Sequence, residues 1–244
     1  MASVLCVIPA RYGSTRLPGK PLEEIAGIPL IVHVYKNAEA SAAFNEICVA
    51  TDDERIAAAV RGAGGRVEMT AASHVSGTDR VFEAAGRYSC THIVNIQGDE
   101  PCIPHDLLRE FSASLKQIDD NYLLTIVSHA TIEEKNDPNV VKAVLDHRKD
   151  ALYFSRAPIP YEREEGAPCY KHTGIYGFTV RSLGMFCSFR EGAIEHAERL
   201  EQLRALENGM RIRCLVYDFQ SIGIDTPEDL ERFRLQVAGN GHGS

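Results

Sequence analysis

The chain begins with a run of five apolar residues that leads directly into a loop of small and basic residues. Residues 4–8 read Val-Leu-Cys-Val-Ile, and residues 9–20 read Pro-Ala-Arg-Tyr-Gly-Ser-Thr-Arg-Leu-Pro-Gly-Lys. A short apolar run bounded by Pro and Gly predicts a strand that is buried on both faces. Other elements must therefore cover this strand from both sides.

Further apolar runs alternate with helix-like stretches along the first half of the chain. The runs lie at 47–50, 67–69, 93–96, 123–128 and 140–145. Such alternation favours an α/β fold with a doubly wound, mainly parallel, Rossmann-like sheet. After Asp137-Pro138, shorter strands and turns predict a smaller α+β lobe. Thr226 and Pro227 mark the start of a last helix, and we expect a disordered tail at 239–244.

Charge and hydropathy exclude several classes of partner. The formal net charge is −8, which argues against a broad surface for nucleic acid or anionic membranes. No apolar run approaches the roughly 20 residues of a membrane span, and the N-terminus does not resemble a leader. We therefore expect a cytoplasmic protein with no nucleic-acid or membrane partner.

The seven cysteines include no C-x-x-C pair. Cys6, Cys48 and Cys214 lie inside apolar runs, where cysteine acts as a small hydrophobic residue. Neither a zinc site nor a disulfide framework is predicted.

The first loop carries three cations, Arg11, Arg16 and Lys20. Small residues let backbone amides approach phosphate oxygens, and the cations neutralise phosphate charge, so the loop is suited to a triphosphate. The alternative is a basic surface turn. Because ligands gather at the carboxyl ends of parallel strands, we expect the loops after Ile8, Ala50 and Ile96 to converge on one crevice.

Two aspartates are candidate ligands of a magnesium ion. Asp99 follows a strand in Gln97-Gly98-Asp99, and Asp225 precedes the last helix. Magnesium prefers carboxylate oxygens and takes only one or two from the protein. A turn aspartate and a helix-capping aspartate are the alternatives.

Two other loops are suited to a base and a ribose. Thr51-Asp52 follows the second strand, and the stretch from His74 to Arg80 contains Ser76 and Gly77. Their hydroxyls, carboxylates and free amides can hydrogen-bond a nucleoside, although His74 could also be a solvated loop residue.

The second half contains Arg156 at a strand end, His172, and the pair Glu201-Gln202 on a helix. Such side chains are expected around a sugar acid, with its hydroxyls and single carboxylate. A surface ion pair between Glu201 and Arg204 is the alternative.

Eight blocks in order resemble the sugar-activating nucleotidyltransferases, in the cytidylyltransferase branch that acts on 3-deoxy-manno-octulosonate (Kdo). The blocks lie at 8–22, 50–52, 76–80, 97–101, 151–160, 172–176, 200–204 and 225–230. The resemblance implies the nucleotidyltransferase type of fold, with a nucleotide-binding part at 1–136 and a sugar-binding and dimerisation part at 137–238 of the same domain. It further implies CTP and Kdo as substrates, CMP-Kdo for lipopolysaccharide and pyrophosphate as products, Mg²⁺ as cofactor, and a cytoplasmic homodimer.

The resemblance also assigns roles to residues. Catalysis is assigned to Arg11, Lys20, Asp99 and Asp225, of which Asp99 and Asp225 hold the metal. The nucleotide set is Pro9, Ala10, Arg11, Gly13, Ser14, Arg16, Lys20, Thr51, Asp52, Ser76, Gly77, Gln97 and Gly98. The sugar set is Arg80, Gln97, Arg156, His172, Glu201 and Gln202.

Two other functions remain open from the sequence. One is a cytidylyltransferase for a related acidic sugar, such as an amino-substituted Kdo. The other is a regulator that binds nucleotide without catalysis. The retention of both Asp99 and Asp225 speaks against the regulator, because binding alone does not need a metal pair.

Overall fold

A computed structural model describes residues 3–13, 17–164, 166–219, 223–224 and 226–240. The chain forms two compact units. The first comprises Met1–Ser112 and Gln220–Ser244, and the second comprises Ala113–Phe219. The boundaries of these compact units differ from the boundary between the predicted nucleotide-binding part, 1–136, and the predicted sugar-binding part, 137–238. The roles of those two parts stay predictions.

The first unit contains a parallel sheet in the order β5-β4-β1-β6. Its longer strands are β1 (Val4–Ala10), β4 (Glu46–Thr51), β5 (Val67–Met69) and β6 (His92–Asn95), and β2 (Glu24–Ile25) pairs with β3 (Ile28–Pro29). Its helices are α1 (Leu30–Ala40), α2 (Glu54–Gly62), α3 (Gly77–Ala85), α4 (His105–Leu115, which runs past Ser112) and α9 (Pro227–Asn240). All seven residues of β1 are buried, as its apolar run predicts.

The second unit contains a mixed sheet. Its strands are β7 (Tyr122–His129), β8 (Lys142–Leu145), β9 (Ala151–Ser155), β10 (Tyr170–Thr179) and β11 (Arg211–Val216). Strand β7 runs parallel to β11 and antiparallel to β10, and β8 pairs antiparallel with both β10 and β9. Its helices are α5 (Ile132–Asn136), α6 (Val180–Ser188), α7 (Ala193–Glu198) and α8 (Leu203–Glu207).

These elements confirm the predicted fold class, an α/β protein with a mainly parallel sheet and an α+β lobe. The last helix begins at Pro227, and the Thr226 hydroxyl accepts a hydrogen bond of 3.2 Å from the Asp229 amide. Helix α9 includes Gly239 and Asn240, where the sequence predicted the start of a disordered tail. Residues 241–244 of that tail lie outside the described residues.

The cysteines behave as predicted. All seven are free thiols, and Cys6, Cys48 and Cys214 are buried. Burial raises the pKa of each of these three thiols, to about 12 for Cys48 and Cys214, so they remain neutral. Among the described residues, no helix combines the length and the apolar character that a membrane span requires.

Candidate active site

A cavity of about 350 Å³ opens in the first unit at the carboxyl ends of β1 and β6. Ten of the predicted site residues line it: Pro9, Ala10, Arg11, Lys20, Ser76, Gly77, Arg80, Gln97, Gly98 and Asp99. They come from segments distant in sequence, which the parallel strands bring to one edge. The described residues Gly13, Thr51 and Asp52 are not part of its lining.

Lys20 and Asp99 form an ion pair at this cavity. The Lys20 Nζ atom lies 2.6 Å from Asp99 Oδ2, and the two side chains are only 13% and 28% exposed. Lys20 Nζ also donates to the Ile224 carbonyl at 2.7 Å, and the Ile224 amide donates to the Asp99 carbonyl at 3.0 Å. The segment that leads into the last helix is thus fixed beside Asp99.

Three predicted site residues lie outside the described residues, namely Ser14, Arg16 and Asp225. The last of them directly follows Ile224 in the sequence. Their roles stay predictions.

Two glycines allow the backbone segments to approach closely. A Cβ atom on Gly98 would lie 3.0 Å from the Pro9 carbonyl oxygen, and one on Gly77 would lie 3.4 Å from the Pro9 ring. Gly77 is the first residue of α3, and the Ser76 hydroxyl caps that helix by accepting from the Asp79 amide. The amides of the first turn of α3 therefore meet the cavity beside Ser76, an arrangement that suits an anion or a hydroxyl.

Arg80 is buried at 4% exposure and lines the same cavity. Its guanidinium donates to the Thr70 hydroxyl and lies 3.2 Å from Asp52 Oδ1 as an ion pair. Thr51 ends β4 fully buried, and its hydroxyl accepts from the Asp53 amide. Asp52, in the loop after β4, thus pairs with a residue of the cavity lining, Arg80, which the resemblance assigns to the sugar set.

His74 lines the cavity and is absent from the predicted sets, as are Pro21 and Val75. The His74 Nε2 atom lies 2.5 Å from Glu83 Oε2, and Glu83 also accepts from the Ala71 amide. The hydrogen bond from the Ala71 amide, and secondly the contact with His74, lower the pKa of Glu83. The one sequence signal that places His74 at the site is its position close to Ser76 and Gly77. That signal does not distinguish a site residue from a solvated loop histidine.

The second unit gathers His172, Tyr176 and Gln202. The Tyr176 hydroxyl donates to Gln202 Oε1 at 3.2 Å. The centres of the Tyr176 and His172 rings lie 5.5 Å apart. His172 Nε2 lies 2.9 Å from the Thr125 hydroxyl, and Phe154 packs edge-on against the imidazole. The Gln202 Nε2 atom is buried without a hydrogen-bond partner among the described residues, so it can donate to a ligand.

Burial lowers the pKa of His172 to about 3, so the imidazole is neutral at physiological pH. Because the unfolded chain takes up this proton near pH 6.5, acid favours unfolding between pH 6.5 and 3. We expect the free energy of unfolding to fall by about 2 kcal/mol more in the wild type than in His172→Gln between pH 7 and pH 5. Urea titrations at the two pH values measure this difference, and equal losses in both proteins would contradict a buried neutral imidazole.

Arg156 is held by backbone groups of the second unit. Its Nε donates to the Glu198 carbonyl at 3.0 Å, and one terminal nitrogen donates to the Pro138 carbonyl at 3.1 Å. The Glu198 carboxylate accepts from the Arg156 amide and from the Ser155 hydroxyl. Glu201 lies 3.9 Å from Arg204, the contact expected of the alternative ion pair.

Comparison with known proteins shows the family of this chain. The profile of the cytidylyltransferase family matches residues 5–212. The 3-deoxy-manno-octulosonate cytidylyltransferase of Solibacter usitatus is 46% identical over 98% of this chain and 98% of its own length. The Geobacter metallireducens protein of the same name is 46% identical over 94% of this chain and 95% of its own length.

Solved structures show the same fold. The structure of a CMP:2-keto-3-deoxy-manno-octonic acid synthetase complexed with CTP superposes with a TM-score of 0.93 at 41% identity, covering 98% of this chain and 100% of the other. A cytidylyltransferase from Leptospira borgpetersenii, 18% identical, shares the fold with a TM-score of 0.66 and covers 98% of this chain and 88% of its own. The resemblance of the eight sequence blocks is thereby confirmed. The chain belongs to the cytidylyltransferase family, among the 3-deoxy-manno-octulosonate cytidylyltransferases.

Proposed function

We propose that this enzyme transfers CMP from CTP to Kdo, giving CMP-Kdo and pyrophosphate. One observation carries the proposal: the paired Lys20 and Asp99 lie at a cavity lined by the residues predicted to bind a nucleotide. The 46% identity to cytidylyltransferases named for this sugar supports the choice of substrates. CMP-Kdo would serve lipopolysaccharide assembly.

The cavity suits the nucleotide in three ways. Arg11 and Lys20 bring positive charge to the phosphates. The first turn of α3, beside Ser76, offers backbone amides to an anion or to ribose hydroxyls. The cavity volume of about 350 Å³ lies within the range that small-molecule sites occupy.

The residues also fit a magnesium ion. Asp99 contributes carboxylate oxygens, and its ion pair with Lys20 is made through Oδ2. We assign the second carboxylate to Asp225, which follows the Ile224 backbone that is bonded to Asp99. Within the described ranges no group of three or more acidic, histidine or cysteine side chains gathers as a metal cage, and magnesium does not require one. When bound, the ion supplies charge neutralisation to the phosphates and acidifies the attacking hydroxyl.

The chemical step needs positioning and charge compensation more than covalent help. The hydroxyl on the anomeric carbon of the sugar attacks the α-phosphorus in line and gives up its proton to solvent, and the bond from the α-phosphorus to the bridging oxygen of the β-phosphate breaks. Lys20 and Arg11 stabilise the negative charge that grows on the departing pyrophosphate. The ammonium of Lys20 is already held by hydrogen bonds to Asp99 and to the Ile224 carbonyl, so little reorganisation is needed.

The second unit supplies side chains for the acidic sugar. His172 is neutral and offers a hydrogen bond without charge, so we assign the sugar carboxylate to Arg156. The unpartnered Gln202 amide can donate to a sugar hydroxyl.

Arg156→Ala is expected to raise the KM for Kdo about 10- to 100-fold and to leave the KM for CTP nearly unchanged, because a charge-assisted hydrogen bond contributes about 1.5–3 kcal/mol. Initial rates with each substrate varied at saturation of the other measure both constants. Arg148→Ala, an exposed arginine in the same unit, is the control. Equal rises in both constants would remove Arg156 from the sugar site.

Pyrophosphate release on mixing the protein with CTP, Kdo and Mg²⁺ tests the proposal directly. Release that requires all three components supports it. Faster release with an amino-substituted Kdo would point to the related acidic sugar, and nucleotide binding without release would point to a regulator.

We further propose that the protein is a cytoplasmic homodimer. The absence of disulfides among its seven cysteines, all of which lie in the described residues, suits a reducing compartment.

A further inference from the structure

The ring of Tyr12 contacts the guanidinium of Arg55 and lies close to the backbone of Gly19. Arg55 Cζ is 3.5 Å from the centre of the ring, well within the range of a cation–π contact. A Cβ atom on Gly19 would lie 3.3 Å from the Tyr12 atoms Cε2, Cζ and Oη, closer than ordinary side-chain contacts. The Gly19 amide also donates to the Tyr12 carbonyl at 3.1 Å, which closes the loop between them.

Arg55 is itself held in one plane by Asp53. The Arg55 Nε atom lies 3.0 Å from Asp53 Oδ1, and a terminal nitrogen lies 2.6 Å from Oδ2. The same carboxylate caps α2 by accepting from the Arg55 amide at 2.9 Å. A bidentate pair fixes the guanidinium plane, which a single contact would leave free to rotate. The side chain of Arg55 is nevertheless 59% exposed, so this order comes from its two partners.

The other end of this series of contacts is Lys20. Gly19 has a φ of 75°, a left-handed conformation that favours glycine, and it precedes the short 3-10 helix Lys20–Leu22. Lys20 then bonds to Asp99 and to the Ile224 carbonyl. A cation–π contact thus joins the first turn of α2 to Tyr12, and a backbone hydrogen bond joins Tyr12 to Gly19, the residue before the lysine at the cavity.

We propose that Asp53, Arg55 and Tyr12 form a latch that positions Gly19 and Lys20 for the triphosphate of the nucleotide. The three are positioning residues, because they act through Gly19 and Lys20 and do not line the cavity. The inference rests on the proposed function only in that Lys20 binds phosphate. By holding Gly19 and Lys20 in place before the nucleotide arrives, the latch lowers the ordering cost of binding.

The test compares variants of Arg55 with a matched control on the same helix. Arg61 is an exposed arginine of α2 that pairs with Glu54, so Arg61→Ala removes the same charge without touching Tyr12. We expect Arg55→Ala to raise the KM for CTP about three- to tenfold with little change in the KM for Kdo, and Arg61→Ala to leave both constants unchanged. Tyr12→Phe keeps the ring and should resemble the wild type, whereas Tyr12→Leu should resemble Arg55→Ala.

A second measurement reports the latch without any activity. The Gly19 amide is hydrogen-bonded to Tyr12, so its hydrogen exchange, followed by NMR in the absence of nucleotide, should become several-fold faster in Arg55→Ala and stay unchanged in Arg61→Ala. Unchanged Gly19 exchange in Arg55→Ala would overturn the latch. Faster exchange with an unchanged KM for CTP would overturn its role in nucleotide binding. Failure of the proposed function is separate, since it would appear as no pyrophosphate release by the wild type while the exchange result still stands.

Discussion

Asp99→Ala is expected to lower turnover at least a hundredfold while the fold remains intact. The substitution removes the carboxylate that pairs with Lys20 and that we assign to magnesium. Electrostatic groups aimed at charge that develops in the transition state contribute several kcal/mol, about 3–4 for a single donor, so loss of one costs two or more orders of magnitude in turnover. Pyrophosphate release at saturating CTP, Kdo and Mg²⁺ measures the change.

Two companion variants separate this effect from general damage. Asp99→Asn keeps the size of the side chain and removes its charge, so it should be nearly as inactive as the alanine variant. Glu110→Ala removes an exposed carboxylate from α4 and should retain wild-type turnover. Thermal unfolding should change little in the Asp99 variants, because that side chain is partly exposed at 28%. Near-normal turnover in either Asp99 variant would end its assignment as a metal ligand.

The sequence predicted the first unit well because its signals are local. The apolar run 4–8 becomes the fully buried β1, and the run 67–69 coincides with β5. Because ligands gather at the carboxyl ends of parallel strands, the sequence also predicts that the loops carrying Pro9, Gly98 and Asp99 meet, and all three residues line the cavity. Capping chemistry likewise marked the start of α9 at Thr226 and Pro227.

What the sequence could not predict are pairings between distant side chains. Lys20 bonds to groups 79 and 204 residues further along the chain, a partnership that no local pattern encodes. The role of Arg80 in sugar binding stays a prediction, and no local pattern indicates that its guanidinium pairs with Asp52 at the cavity of the first unit. His74 contacts Glu83 of α3 through its side chain, and residue spacing alone does not predict such a contact or the position of His74 in the cavity.

Lys142 is a further case, because it lies inside the apolar run 140–145 and no local pattern indicates which groups accept hydrogen bonds from its ammonium. It begins β8 with no exposed surface, although lysine is among the residues least often buried. Its ammonium donates to three carbonyls, those of Asp137 at 2.7 Å, Val140 at 2.6 Å and Arg156 at 2.6 Å. Each of the three donors of the ammonium therefore has an acceptor, which is what allows the charge to be buried. Burial still lowers the pKa of Lys142, so the charged form is less stable there than in water.

Lys142→Met is expected to lower the free energy of unfolding by about 3 kcal/mol. Methionine has a similar length and relieves the cost of the buried charge, but it leaves three carbonyls without a donor, each costing about 1–3 kcal/mol. Urea unfolding followed by circular dichroism measures the loss. The control is Lys116→Met, the same change at an exposed position of the same unit, which should stay within about 0.5 kcal/mol of the wild type.

Lys142→Met also tests whether Lys142 positions Arg156 in the proposed sugar site. Lys142 bonds to the Arg156 carbonyl, and the Glu198 carboxylate bonds to the Arg156 amide, so the backbone of Arg156 is held from both of its peptide groups. Under conditions where Lys142→Met remains folded, the KM for Kdo should therefore rise more than the KM for CTP, although by less than in Arg156→Ala. A variant with wild-type stability would show that the ammonium is dispensable to the fold. A variant that is less stable but has both constants unchanged would show that its three hydrogen bonds hold the fold without positioning Arg156.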